Sequence, residues 1–246
     1  MNWPEDFIDK NSMLYWYPKI VGLSIPKPIT YFTTKGADWD KTRNYLVWSK
    51  RTEKEIESAI RKVGLPVFLR TDLMSCKHEW GKTCFLKDIN DLKAHLSALA
   101  EGTYLADIIG KPVDCFVVRQ YIPMKNLFTA FWGKMPVNPE IRFFIKEGKV
   151  LCWHWYWIED AIEKPSNPNW KEIIAQTKRE CYHEIRGQLT QYAEVIAEKF
   201  KDDGAWSVDF CQAENGIWYL IDLALATESW HPEDCEELKG IREVKL

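Results

Sequence analysis

The chain has 246 residues, of which 46% are hydrophobic and 28% charged, and its formal net charge at pH 7 is −3. This balance excludes a disordered chain, a collagen-like repeat and a disulfide-held miniprotein, and it makes no strong case for nucleic acid as a partner. Because no apolar run reaches the ~20 residues of a membrane helix and MNWPEDFIDK is not a secretory signal, we expect a cytoplasmic protein with no membrane partner.

The sequence of the first half predicts an aromatic-rich N-terminal lobe at residues 1–65, followed by strands around a helix. Thr52–Val63 (TEKEIESAIRKV) predicts a helix with a capping box at Thr52 and Glu55, ended by Gly64. Hydrophobic periodicity and turn residues then predict a strand at 66–71, a loop at 72–82, a strand at 83–86, a helix at 88–101 stopped by Gly102, and a strand at 113–122.

The second half predicts two hairpins separated by a long helix. The predicted elements are strands at 140–146 and 149–158, a helix at 170–201, and strands at 206–212 and 217–224. Since hairpins make the sheets mainly antiparallel, the fold class is α+β. We expect two further lobes, at residues 66–125 and 126–246.

The last hairpin places two carboxylates opposite each other. Asn215-Gly216 predicts a two-residue type I′ turn, and counting back from it puts Asp209 directly across from Asp222. Two facing carboxylates repel unless a positive charge lies between them. A divalent cation such as Mg²⁺ fits that position. The alternative is that one or both aspartates face solvent or pair with a nearby lysine or arginine.

A second candidate is Arg70, a charge in the otherwise apolar strand PVFLRT. It must face solvent, a carboxylate or an anionic ligand. The following loop, SCKHEWGK, carries Lys77 and Lys82, and such loops can close over phosphates. A solvated surface loop is at least as good an interpretation of this segment.

A third candidate is Glu140-Ile-Arg142 in the first strand of the other hairpin. Period-two alternation puts both charges on one face, where they form either a salt bridge or a phosphate contact. His154 and Tyr156 on the returning strand can join that face. The seven cysteines form no Cys-x-x-Cys pair, and Cys76-x-His78 has no second ligand pair nearby, so no zinc site is expected.

Six segments follow one another over about residues 66–225: VFLRT, SCKHEWGK, FVVRQYIP, EIRFFIKEGKV, SVDF and WYLIDLA. In this order they resemble the ATP-grasp superfamily. Arg70, RQYIP, EIRFF and IDLA are most similar to two branches: the clade named for an arginine and two lysines, and the cell-division-cycle family that assists translation-factor assembly. The resemblance implies two α+β lobes clasping a nucleotide, plus the small N-terminal lobe.

The resemblance also implies roles for single residues. Catalysis would rest on Arg142, at the γ-phosphate, and on Arg70, which with Lys82 would contact the α- and β-phosphates, assisted by Lys77. The remaining implied contacts are Gln120, Tyr121 and Ile122 at the hinge beside adenine, Glu140 on the ribose side, and Asp209 and Asp222 as ligands of Mg²⁺.

The chain departs from the family pattern in two ways. The second acid is Asp222 rather than a glutamate. Many active members carry an asparagine two residues after the second acid, where this chain has Ala224; Glu228 is the candidate replacement ligand. The first functional hypothesis is an ATP- and Mg²⁺-dependent carboxylate–amine ligase that proceeds through an acylphosphate. Its acceptor is unknown, with a peptide or protein among the candidates. The second is an ATP-binding assembly or interaction protein without ligase activity, which Ala224 favours.

Overall fold

The computed structural model describes residues 9–40, 42, 45–106, 113–233 and 235–238. The helices and strands, in chain order, are α1 (Met13–Ile20), β1 (Thr30–Phe32), β2 (Asp38–Asp40), β3 (Tyr45–Val47), α2 (Lys50–Val63), β4 (Val67–Thr71), β5 (Phe85–Leu86), α3 (Leu92–Tyr104), β6 (Phe116–Gln120), β7 (Phe128–Ala130), β8 (Met135–Val137), β9 (Glu140–Lys146), β10 (Lys149–Trp155), α4 (Trp170–Glu184), α5 (Thr190–Lys199), β11 (Ala205–Gln212) and β12 (Trp218–Leu225).

The chain divides into two compact units. The small unit is Pro28–Ile122, and the large unit combines Met1–Lys27 with Pro123–Leu246. Residues 1–65, expected as one N-terminal lobe, are thus divided between the two units, while the three-part division into functional domains stays a prediction. None of the described helices is both long and apolar enough to cross a membrane.

The small unit is built on a four-stranded antiparallel sheet in the order β1–β6–β4–β5. Val67 and Leu69 of β4 belong to a core shared with Ile56 of α2 and Leu96 of α3, so both helices pack on this face of the sheet. Since side chains alternate along a strand, β4 directs Arg70 to the opposite face.

The cap of α2 differs from the prediction. Ser49, not Thr52, is the N-cap, because Ser49 Oγ accepts a hydrogen bond from the Thr52 N–H at 3.1 Å. Glu55 instead accepts from the Thr34 N–H at 2.7 Å. The predicted capping box is therefore wrong: Ser49 is also a good capping residue, and it comes a turn earlier. Gly64 ends the helix with φ of 79°, as predicted.

Gly102 does not stop α3, which runs on to Tyr104. A Cβ atom at Gly102 would lie 2.7 Å from Cys76 Sγ, closer than real side chains approach. Glycine at this position therefore lets the loop after β4 pack against the helix. Asp88 caps a short 3₁₀ turn, Ile89–Asp91, that precedes the helix.

The large unit is built on a second four-stranded antiparallel sheet, in the order β10–β9–β11–β12. Phe143 and Phe210 pack edge to face on the side covered by α5, where Tyr192 contacts Phe210. On the other face, Phe144 is fully buried against Ala226 and His231 from the segment after β12. Both faces of the central strands are thus covered.

The predicted long helix is one helical run with an irregular middle. Between α4 and α5, Ile185–Leu189 forms a π-helical turn. The Thr190 hydroxyl donates to the Ile185 carbonyl at 2.7 Å across this turn. The run therefore keeps the predicted position, but with one turn wound more widely than an α-helix.

Candidate functional site

Four polar side chains form a continuous row across the sheet of the large unit. His154 of β10 pairs with Arg142 of β9, Arg142 pairs with Asp209 of β11, and Asp209 pairs with Asp222 of β12. Residues paired in this way project from the same face of a sheet. The structure therefore brings together Arg142, Asp209 and Asp222, three of the four residues expected to act in this half of the chain.

Arg142 and Asp209 form a bidentate ion pair in the middle of the row. Arg142 Nε donates to Asp209 Oδ1 at 2.8 Å, and Nη2 donates to Oδ2 at 2.7 Å. Only 14% of the Arg142 side chain and 7% of the Asp209 side chain are exposed. Of the two alternatives left open by the sequence, pairing with an arginine is observed for Asp209; its role as a metal ligand stays a prediction.

Further partners fix the Arg142 guanidinium. Its Nη1 donates to the Trp230 carbonyl at 3.4 Å, and its centre lies 4.6 Å from the centroid of the Tyr156 ring. Burial alone would lower the pKa of Arg142, but Asp209, Tyr156 and Glu140 raise it above its ordinary value. Arg142 is thus a fixed positive charge. Glu140, two residues before it, is 3% exposed at the start of β9.

The tip of the β11–β12 hairpin corrects the predicted turn. The Ala213 N–H donates to the Ile217 carbonyl at 2.8 Å, and the Gly216 N–H donates to the Ala213 carbonyl at 2.9 Å. Gly216 has φ of 82°, whereas Asn215 does not have a positive φ. The loop is therefore a three-residue connection with a left-handed glycine, and the predicted type I′ turn is wrong.

A β-bulge restores the predicted pairing. With the observed tip, Phe210 faces Leu220, and a regular ladder would bring Ile221 opposite Asp209. The register shifts between Asp209 and Phe210, so that Asp222 faces Asp209 instead. The aspartate pair was thus predicted correctly although the turn was not, because one extra loop residue and one bulge offset each other.

The two aspartates fit a Mg²⁺ ion chemically. They offer hard carboxylate oxygens from directly paired positions on adjacent strands. Asp209 already accepts two hydrogen bonds from Arg142, but each of its oxygens has a second lone pair. Ala224 faces Ser207 and its methyl group adds no ligand, while Glu228 lies exposed in the 3₁₀ turn Ala226–Glu228.

In the small unit, Arg70 is buried rather than solvated. It is 4% exposed, and its guanidinium donates to the carbonyls of Thr71 at 3.1 Å and Leu73 at 3.3 Å. Arg70 thereby fixes the turn after β4, where the expected phosphate-covering loop begins. Its contact with phosphates stays a prediction.

The loop after β4 separates its two lysines. Lys77 starts a 3₁₀ turn, Lys77–Glu79, and is half-buried. The Lys82 side chain is 81% exposed, with its Nζ 3.9 Å from Glu79 Oε2. The two lysines therefore differ in exposure, with Lys82 at the surface and Lys77 half-buried.

An aromatic group on the small unit was missed from the sequence. The Trp80 ring lies 5.7 Å from that of Phe68 and 5.5 Å from that of Phe85, and the Phe85 ring lies 4.7 Å from that of Tyr121. All four are half-buried. Alternation along β4 puts Phe68 on the face of Arg70, but nothing in the sequence indicated that Trp80 folds back onto it.

The predicted hinge residues lie at the end of β6 and directly after it. Gln120 ends β6, and its N–H donates to the Ile29 carbonyl at 2.8 Å. Tyr121 joins the aromatic group, and both Tyr121 and Ile122 are half-buried. Their contacts with adenine stay a prediction.

A sequence model described as an ATP-grasp domain, family 3 of the clade named for an arginine and two lysines, matches residues 62–241, well over half of the chain. Among solved structures, a D-alanine–D-alanine ligase from Bacillus anthracis in complex with ATP is 15% identical, with a TM-score of 0.47 over 89% of this chain and 56% of that one. A carboxyaminoimidazole ribonucleotide synthase from Aspergillus clavatus, also in complex with ATP, is 13% identical, with a TM-score of 0.47 over 87% and 44%. The chain thus spans about half the length of these structures. No curated protein sequence matches it significantly.

Proposed function

The chain belongs to family 3 of the arginine-and-two-lysines clade of ATP-grasp domains, and from this premise we propose that it is an ATP- and Mg²⁺-dependent carboxylate–amine ligase. The γ-phosphoryl group of ATP moves to a substrate carboxylate, which gives ADP and an acylphosphate. An amine then attacks the acyl carbon, phosphate leaves, and an amide bond remains. The observation that carries this proposal is the row of Arg142, Asp209 and Asp222 across one sheet face.

Arg142 is suited to the transferring phosphoryl group because its position is fixed before the substrate arrives. Its two hydrogen bonds to Asp209 and the Tyr156 ring prevent the guanidinium from reorienting. A preorganised charge stabilises a transition state without having to reorganise during the reaction. Bound by Asp209 and Asp222, Mg²⁺ would neutralise phosphate charge and orient the leaving group.

The other proposed contacts concern nucleotide binding. We assign Arg70, Lys77 and Lys82 to the α- and β-phosphates. Glu140 is assigned to the ribose side. The adenine contacts are assigned to the segment after β6, at Gln120, Tyr121 and Ile122. The half-buried aromatic side chain of Tyr121 supports this, since a planar base packs well against aromatic and apolar surface.

The test is ADP release with Mg²⁺ and a panel of amino acids and peptides as acceptors, with the amide product identified by mass spectrometry. Arg142→Met should abolish most acceptor-dependent ADP release. Arg186→Met is the matched control, because Arg186 is an exposed arginine of the π-helical turn in the same unit. Equal activity in both variants would contradict the role of Arg142.

A second candidate function is an ATP-binding assembly or interaction protein that forms no amide bond. It is favoured by Ala224, whose methyl group cannot replace the oxygen ligand found there in many family members. Tight Mg²⁺-dependent ATP binding, without ADP release for any acceptor, would support this function over the ligase. Introducing the ligand with Ala224→Asn should then increase Mg²⁺ affinity.

A further inference from the structure

Two cysteines and two histidines meet on the face of the large-unit sheet that carries Arg142. Cys152 and His154 are two residues apart on β10 and pair with Phe144 and Arg142, so both project from this face. His231 comes from the segment after β12, as does Cys235 four residues later. One ligand atom from each of Cys152, His154, His231 and Cys235 lies within 4.8 Å of the other three.

The spacing of these four side chains is close to that of a tetrahedral metal site. Cys152 Sγ lies 3.9 Å from His231 Nε2, and the two histidine rings are 4.9 Å apart at 88°. Bond lengths of about 2.3 Å to sulfur and 2.0–2.1 Å to nitrogen put tetrahedral ligands about 3.3–3.8 Å from one another. Small side-chain rotations would close the remaining gap.

We infer that Cys152, His154, His231 and Cys235 form a structural Cys₂His₂ zinc site. Two thiolates and two imidazoles are soft and borderline ligands, which select zinc over Mg²⁺. Four protein ligands leave no open position for water, as in structural rather than catalytic sites. This site is separate from the Asp209 and Asp222 pair, whose ligands are all oxygens.

The surroundings support burial of a metal here. His231 is 5% exposed, and its ring lies 4.9 Å from that of the fully buried Phe144. The thiols of Cys152 and Cys235 are both half-buried. A cation between these thiols would stabilise their thiolate forms.

The site would fasten the segment after β12 to the sheet beside Arg142. Within this segment, the Trp230 carbonyl accepts a hydrogen bond from Arg142, and the Ser229 and Ser207 hydroxyls are 2.7 Å apart. These polar contacts lie beside the apolar packing of Ala226 and His231 on Phe144. A metal bound by His231 and Cys235 on one side and β10 on the other would hold the Trp230 carbonyl at the Arg142 guanidinium.

The experiment measures bound metal in the whole chain. Protein is purified under reducing conditions without chelators or a metal-affinity step, and zinc per chain is measured by mass spectrometry. The metal is then exchanged for Co²⁺, whose absorption spectrum reports tetrahedral geometry and thiolate ligation. The variants are Cys235→Ser and Cys152→Ser, and the matched control is Cys181→Ser, a buried cysteine of α4 outside the cluster.

We expect about one zinc per chain in the unchanged protein and in Cys181→Ser, a tetrahedral thiolate spectrum with Co²⁺, and loss of stoichiometric zinc in both other variants. Cys235→Ser should remain folded, since Cys235 lies outside the sheet and is half-buried. The inference is overturned if the unchanged protein holds no zinc after incubation with an equimolar amount. Zinc retained by Cys235→Ser, or a Cys152–Cys235 disulfide in protein prepared under reducing conditions, would also overturn it.

Discussion

Asp209→Asn should destabilise the large unit, because it leaves the Arg142 guanidinium without its counterion. Removing one partner of a fully buried ion pair costs about 3–5 kcal/mol. Here asparagine keeps one acceptor, and the Trp230 carbonyl and the Tyr156 ring still contact Arg142. With 14% of the Arg142 side chain exposed, we expect a loss of about 2–3 kcal/mol in the free energy of unfolding.

The assay is urea unfolding of the nucleotide-free protein, followed by tryptophan fluorescence. Trp206 and Trp218 are buried in the β11–β12 hairpin, so they report on the unit that carries the pair. At about 2–4 °C per kcal/mol, the same loss should lower Tm by about 4–12 °C.

Asp222→Asn is the matched control, since it makes the same change at the facing position. Asp222 is half-buried, and removing its charge relieves repulsion with Asp209, so we expect a change within about 1 kcal/mol. Both variants should weaken Mg·ATP binding. The reasoning is refuted if both variants lose equal stability, or if Asp209→Asn costs less than about 0.5 kcal/mol.

Three further predictions are tested by similar measurements. Mg·ATP at ~100 times its Kd should stabilise the protein by about 2.7 kcal/mol, and an unshifted melting curve would contradict nucleotide binding. Arg70→Met should weaken ATP affinity measured by calorimetry. It should also lower the free energy of unfolding by about 1–3 kcal/mol, because the hydrogen bonds from Arg70 to the Thr71 and Leu73 carbonyls are lost. Unchanged ATP affinity would make Arg70 purely structural. Burial raises the pKa of Asp203, but hydrogen bonds from Lys19 and Tyr15 lower it more, so the net pKa lies below its ordinary value of 3.8. Asp203→Asn should therefore reduce stability at neutral pH, and in urea titrations the difference should shrink as the pH falls below 3.8; a difference independent of pH would contradict this.

The family and the α+β class predicted from the sequence are confirmed. From α2 to β6 and from β9 to β12, the order of strands and helices was predictable because periods of two and 3.6 residues are local signals, whereas the short strands β2, β3, β7 and β8 were not predicted. The assignment of the Asp209 and Asp222 pair to one face depended on the same alternation. The clade named for an arginine and two lysines was one of the two branches inferred from Arg70, RQYIP, EIRFF and IDLA.

Features that depend on distant parts of the chain could not be predicted in this way. The side chains that cover Phe144 come from a segment without hydrophobic periodicity. Arg142, the partner of Asp209, lies on β9, far away in sequence. The group of Cys152, His154, His231 and Cys235 joins two segments separated by more than 70 residues, so neither Cys152-x-His154 nor His231-x-x-x-Cys235 indicated it alone. The α1 helix was not predicted, and it contains Pro18, a residue that helix interiors disfavour.

The π-helical turn between α4 and α5 allows this long helix to lose one residue at the turn without losing its apolar stripe. At about 100° per residue, a regular α-helix would turn the buried positions of α5, such as Ala193 and Ile196, roughly 80° away from those of α4, such as Ile174 and Cys181. One surplus residue in the wide turn keeps both sets on one stripe. Deleting Gly187 should therefore leave a plain α-helix with its apolar stripe intact. The same deletion elsewhere in α4 or α5 would rotate half of the stripe towards solvent.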